Sequence, residues 1–226
     1  QGPVSIPAVR KLVELLWSEQ RFEDARDVMA QLGPRAESDV LGARAQSRLE
    51  LAEGDLAGAI TLARKSAEDS NRLADQLGLG HLLARDNQWE QAIEAYQQAV
   101  KANPDDAWPY HNLGFVYKTV EAYHEAITSY QRAIERHADD ANKAISWNNL
   151  GNVQLSAGES EAALDCYRHV LTLDALHAEA LNNIGVVWAK RGQEEEAARY
   201  FSQALDVRPG YKQAQRNMML LNTTRE

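Results

Sequence analysis

From residue 73 onward, small, apolar and aromatic positions return in a fixed order. Gly80, Gly114, Gly151 and Gly185 are spaced by 34, 37 and 34 residues. Ala92, Ala126, Ala163 and Ala197 each follow a glycine by 12 residues. Tyr96, Tyr130, Tyr167 and Phe201 follow those alanines by four, about one helical turn. The period predicts two short helices joined by a turn. Glycine on the first helix and alanine on the second let the two approach closely, and the aromatic fills the space against the next pair. One such pair leaves apolar faces exposed, so neighbouring pairs must stack.

Residues 107–140 show the pattern most clearly. The N-terminal third is more divergent. Leu12, Val13, Leu16, Ala25, Met29 and Leu32 fit the apolar positions of 6–39, with Ser5 as a cap and Pro7 in a first turn. Gly33-Pro34 ends that second helix early. In 40–72, Ala59 after Gly54-Asp55 sets the register, but Ser47 stands at the glycine position. Residues 141–143 are an insertion that lengthens the following helix by almost a turn. Residues 212–226 start one more first helix without a partner. They are expected to cap the stack through Met218, Met219 and Leu221, leaving Lys212, Gln213 and Arg216 in water.

These residues resemble the tetratricopeptide repeat family, whose 34-residue pattern runs W-x₂-L-G-x₂-Y, then A-x₃-F, Ala and Pro. Residues 107–140 carry Tyr110, Leu113, Gly114, Tyr117, Ala126, Tyr130 and Ala133 at those places, with Ala138 replacing the proline. Gln76, Leu79, Gly80, Leu83, Ala92, Tyr96, Ala99 and Pro104 match in 73–106. Trp147, Leu150, Gly151, Ala163 and Tyr167 match in 144–177. Leu181, Ile184, Gly185, Trp188, Ala197, Phe201, Ala204 and Pro209 match in 178–211. The resemblance implies an all-α, right-handed superhelical solenoid of helix-turn-helix repeats with a C-terminal capping helix. The expected division is a leader at 1–5, then six repeats at 6–39, 40–72, 73–106, 107–140, 144–177 and 178–211, then the cap at 212–226. That makes about thirteen helices and no strands.

Charge narrows the function. A formal net charge of −9 and a pI of about 5.2 argue against nucleic-acid binding, which draws on cations that neutralise phosphates. No apolar run is long enough to span a bilayer, so direct membrane insertion is not expected. Cys166 is the single cysteine, which excludes an intrachain disulfide and a cysteine-rich zinc site. It favours a reducing, cytoplasmic setting. A periplasmic one stays open, because Gln1-Gly2-Pro3 reads as the remnant of a cleavable tag and native ends are then missing.

In the family it resembles, first helices line a concave groove and expose positions 2, 5, 6, 9, 12 and 13 of each repeat. Position 6 gives Asn112, Asn149, Asn183 and, in the cap, Asn217; the earlier repeats offer Lys11, Ala45 and Gly78. This series resembles the asparagine ladder in the superhelix of O-linked N-acetylglucosamine transferase, where amides hold a peptide backbone. A primary amide both donates and accepts, so it pairs with a peptide unit of any sequence. Asn148, Asn152 and Asn182 widen the polar strip, and Lys190 lies beside it. His111, Phe115, Trp108 and Val186 add aromatic or apolar surface for partner side chains. Trp108, before Pro109 at a helix start, suits packing on the preceding repeat equally well. The alternative for the asparagines is a polar contact between repeats.

The N-terminal groove positions give Arg10, Lys11, Arg44, Arg48 and Arg85, with Lys118, Lys190 and Arg216 further on. Glu121, Glu125, Glu159, Glu161 and Glu194 to Glu196 fall in turns and second helices, on the outer surface. A cationic groove favours an acidic peptide or a C-terminal carboxylate; the alternative is a solvated face. The family's two-carboxylate clamp needs Lys at position 5 and Asn at position 9 of one repeat, and no repeat here has that pair. Nothing implies a cofactor or a metal: His81 and His111 share no fitted carboxylates, and no H-E-x-x-H, G-x-S-x-G or Walker loop occurs. Residues 78–83, GLGHLL, lie inside a first helix and form no phosphate loop. Cys166 sits mid-helix with nothing to activate it. The expectation is a non-catalytic scaffold that binds an extended peptide or protein in its groove. The alternatives are a self-associating assembly module, with homo-oligomers open, and the repeat segment of a larger enzyme or export component.

Overall fold

The computed structural model describes residues 54–70 and 72–223 throughout, residues 21–30, and single positions between 9 and 51. Among the described residues there is no strand, and no helix is long and apolar enough to cross a membrane. They fall into two compact units, Gln1–Pro104 and Asp105–Glu226.

In the first unit, helical residues between 9 and 16 pack on α1 (Phe22–Ala30). Val9, Val13 and Leu16, spaced by one helical turn, close on Ala25 and Met29. Next come α2 (Leu56–Ser70), α3 (Leu73–Arg85) and α4 (Trp89–Ala102), with α3 packed on both neighbours. Ser5, Pro7, Leu32, Gly33, Pro34, Arg10, Arg44 and Ala45 lie outside the described residues.

The second unit continues with α5 (Ala107–Thr119), α6 (Tyr123–Arg136), α7 (Asp140–Ser156), α8 (Ser160–Leu173), α9 (Ala178–Lys190), α10 (Glu194–Val207) and α11 (Lys212–Thr223). α5 pairs with α6, α7 with α8 and α9 with α10, while α5, α7, α9 and α11 touch in series. The first helices therefore form one wall. Their starts are capped from side chains: Asp106 accepts from the Trp108 N–H, Asp139 from the Asn142 N–H, and the His177 ring from the Ala180 N–H. α7 has 17 residues against 13 in α5, one turn more, where residues 141–143 enter.

The glycine and aromatic positions meet inside each pair. A Cβ at Gly80, Gly114, Gly151 or Gly185 would stand 2.5–2.8 Å from the ring of Tyr96, Tyr130, Tyr167 or Phe201. The aromatic thus lies flat on its own pair's glycine as well as reaching the next pair: Tyr167 joins Ile184 and Val187 in one core. Where the aromatic is missing the glycine is also unnecessary. Ala63 occupies that aromatic position, and Ser47 replaces the glycine, its Oγ donating to the Ala59 carbonyl at 2.7 Å.

From residue 54 onward, each turn between paired helices holds one residue in the left-handed region: Gly54, Asn87, Glu121, Gly158 and Gly192. At the C-terminal end Leu221 and Met218 pack on Phe201, but Met219 is 68% exposed. This corrects the expected cover. Met219 stands at the glycine position, so it faces the side that a second helix would occupy. Lys212, Gln213 and Arg216 are exposed.

Candidate functional site

The wall of first helices in the second unit carries a cleft of about 380 Å³. It is lined by Lys118 of α5, Asn148, Asn152, Leu155 and Ser156 of α7, and Glu179, Asn183 and Lys190 of α9. Tyr211 and Gln213, at the start of α11, close it. Repeat spacing brings these together, because positions 34 to 37 residues apart recur one above the other along the stack.

The asparagines bond mainly to each other. Asn183 Nδ2 donates to Asn148 Oδ1 at 3.0 Å and to Asn152 Oδ1 at 3.1 Å. Tyr167 Oη donates to the same Asn152 oxygen at 2.8 Å. Asn182 Nδ2 donates to Asn183 Oδ1 at 3.3 Å, and Asn217 Nδ2 donates to Asn182 Oδ1 at 2.9 Å. One amide network thus joins α7, α8, α9 and α11. It fills both acceptor positions of the Asn152 side-chain oxygen and one of the two on Asn148, while the Nδ2 groups of both bond no described residue.

Two sequence candidates lie beneath the surface. Asn182 is 0% exposed and is a joint between helices rather than a groove residue. His111 is 9% exposed. Its Nδ1 lies 2.8 Å from Ser146 Oγ, and His137 Nε2 lies 3.1 Å from the same hydroxyl. Asn149 Nδ2 meets His111 Nε2 at 3.4 Å. Burial, helped by His137, pushes the His111 imidazole down to about 4. Burial likewise lowers His137, against the pull of Asp139 and Asp106 and with a small push from Lys143. Each of the two candidates is taken up by partners on a neighbouring helix, His111 by Ser146 and Asn149 of α7 and Asn182 by Asn217 of α11, and spacing within a single repeat carries no sign of that.

The other candidates are spread along the surface. Asn112 is half-buried, while Phe115 and Trp108 are 52% and 41% exposed. Trp108 lies edge-on to His111 and His137. Lys11, Arg48 and Arg85 are exposed in the first unit. The cations differ in their engagement. Arg208 pairs with Glu179 and Arg191 with Glu161, whereas Lys118 and Lys190 form no ion pair with a described residue. Burial opposes the charge of Glu179, but the Arg208 hydrogen bond, its backbone and the nearby Arg208 and His177 hold it below the ordinary carboxylate value. The cleft is therefore net cationic in an acidic chain. Reasoning from sequence missed Glu179, Leu155, Ser156 and Gln213 as lining groups, although all fall on positions 2, 12 or 13; Tyr211 falls on none. Cys166 is buried, and burial with Asp165 nearby pushes its thiol up to about 12. No group of three or more potential metal ligands occurs among the described residues.

Comparison with known proteins bears on this arrangement. A probable UDP-N-acetylglucosamine–peptide N-acetylglucosaminyltransferase SPINDLY of Hordeum vulgare is 28% identical over 146 residues, 63% of this chain. The chain spans only 16% of that relative's length. A solved MamA protein superposes with a TM-score of 0.66 at 26% identity, covering 74% of this chain and 91% of that one. YrrB, described as a TPR protein with an unusual peptide-binding site, superposes with a TM-score of 0.64 at 22% identity, covering 83% and 96%. Three models match the sequence itself: a TPR repeat at residues 80–120 and two tetratricopeptide repeats at 105–175 and 148–212. Together they span more than half of the sequence, and the chain belongs to the tetratricopeptide repeat family.

Proposed function

We propose that the chain is a non-catalytic scaffold of six repeats and a cap whose second unit holds an extended, acidic protein segment along its first helices. One observation carries this reading: the cleft offers donors. The side-chain carbonyls of Asn148 and Asn152 are engaged inside the amide network, leaving their N–H₂ groups, and Lys118 and Lys190 stand beside them without an ion pair to any described residue. A surface of donors selects a partner rich in acceptors, meaning side-chain carboxylates and peptide carbonyls. Asn183 acts indirectly, orienting Asn148 and Asn152. Phe115, exposed on the same wall, is an apolar contact for a partner side chain. Family membership, and the peptide-binding site named for YrrB, agree with this reading.

The test uses a fluorescein-labelled octapeptide of alternating Glu and Ala. Binding is expected to weaken about tenfold in the Lys118→Ala/Lys190→Ala double variant, the loss of about one charge-assisted hydrogen bond, with the melting temperature unchanged. Equal affinity in the double variant contradicts the proposal. A second reading, the partner-binding segment of a larger enzyme, is favoured by the SPINDLY match, in which this chain corresponds to a small share of the whole. The open reading frame that encodes the chain decides it.

A further inference from the structure

A second cleft, of about 400 Å³, lies within the first unit. Its origin is legible residue by residue. Ala63 stands where the other repeats carry Tyr96, Tyr130, Tyr167 or Phe201. Ser47 stands at the glycine position, and Gly78 stands where later repeats carry Asn112, Asn149 and Asn183. Three small residues together leave the space open, and a Cβ on Gly78 would meet nothing within 4 Å.

The walls are Leu51, Leu79, Leu82, Ala63 and Ala74. Their polar neighbours are turned inward. Ser47 Oγ donates to the Ala59 carbonyl, and Ser66 and Ser70 donate to Asp75, which is 4% exposed. His81 leans edge-on against Tyr96, its ring centroid 5.7 Å away. The charged group exposed on the lining is Arg48. A guanidinium has five N–H donors and serves more than one acceptor.

We infer that this cleft is a socket for one bulky apolar side chain of a protein segment that carries a carboxylate beside that side chain. An apolar cavity with few converging polar groups is the common form of a small-ligand site. The volume exceeds what one leucine needs, so the socket admits entry without repacking. Arg48 supplies the charge complement and fixes the orientation. The inference concerns the first unit and stands independently of the donor cleft in the second.

The test is an NMR titration of the ¹⁵N-labelled chain with three probes: N-acetyl-leucine, N-acetyl-leucinamide and N-acetylglycine. N-acetyl-leucine is expected to shift the amides of Leu51, Gly78, Leu79 and Leu82 saturably. The leucinamide, lacking the carboxylate, is expected to bind several-fold more weakly, and N-acetylglycine not to shift them. Gly78→Leu fills the socket and is expected to weaken N-acetyl-leucine by about tenfold or more. Ala74→Leu, on the exposed rim, gives a second fill should the first variant lose helical circular dichroism. Arg48→Gln is expected to erase the difference between acid and amide. Equal shifts from N-acetylglycine, undiminished binding in a folded fill variant, or no saturable shift with any probe overturns the inference.

Discussion

His111, His137 and Ser146 form the most consequential contact at the scale of single residues. Two buried imidazoles share one hydroxyl. An unfolded histidine titrates near the ordinary imidazole value of about 6.5, whereas folded His111 holds out to about 4. Its folded pKa is depressed, so its cost is absent above 6.5 and grows as pH falls towards 4. The loss is on the order of 1–3 kcal/mol. Urea midpoints at pH 7 and pH 5 should differ in the native chain, and His111→Gln should shrink that difference; an unchanged difference excludes His111 as its source. Trp188 poses a second question, because its buried Nε1 has no hydrogen-bond partner among the described residues. An orphaned donor costs roughly 1–3 kcal/mol, so Trp188→Phe, which removes it, should change stability by less than about 1 kcal/mol. Trp188→Ala should cost about 3–5 kcal/mol by leaving a cavity. Calorimetric melting separates the two. The sequence showed which residues are asparagines at a repeated position. It did not show that their carbonyls are spent on one another, because those partners lie 31 or 35 residues away and depend on amide orientation.

At the scale of elements, close approach of paired helices and the turn between them set stability. At Gly114 an added Cβ would stand 2.8 Å from the Tyr130 ring, so Gly114→Ala must displace a fully buried aromatic. Overpacking of this kind costs about 1–3 kcal/mol. Gly78 lies in a helix of the same type with open space around it, and Gly78→Ala should stabilise by up to about 1 kcal/mol through helix propensity alone. Denaturant midpoints of opposite sign are the expected result. Glu121 has φ +60°, where the equivalent positions of the next two pairs carry Gly158 and Gly192. A glutamate there is strained by about 1–3 kcal/mol, while a glycine loses about 0.5–1 kcal/mol more backbone entropy on folding. Glu121→Gly should therefore raise stability by about 1 kcal/mol, and a lowered midpoint would contradict it. The helices and their register were readable because the glycine-alanine-aromatic spacing repeats four times. The exposed Met219 was not, since amphipathic spacing names an apolar face but not whether a neighbour covers it.

At the scale of the whole molecule, the cleft of the second unit departs from the acidic balance of the chain. The net charge is −9, yet the cleft of the second unit holds two lysines that pair with no described carboxylate, and the carboxylate lining it, Glu179, is already paired with Arg208. The fold was legible in the repeat period, and the family in the resemblance of its motif residues to a known pattern. The direction of the hydrogen-bond network, which makes the cleft a donor surface, needed coordinates. The side-chain amide resonances of Asn148, Asn152 and Asn183 test that claim most directly during titration with the acidic octapeptide. The Nδ2 signals of Asn148 and Asn152 should shift together and saturate with the bound fraction, and added salt should reverse the shift. The Asn183 signal, whose protons stay on its two neighbours, should move least. If the Asn183 signal moves most, or a Lys-Ala octapeptide produces the same shifts, the cleft is not the donor surface described here.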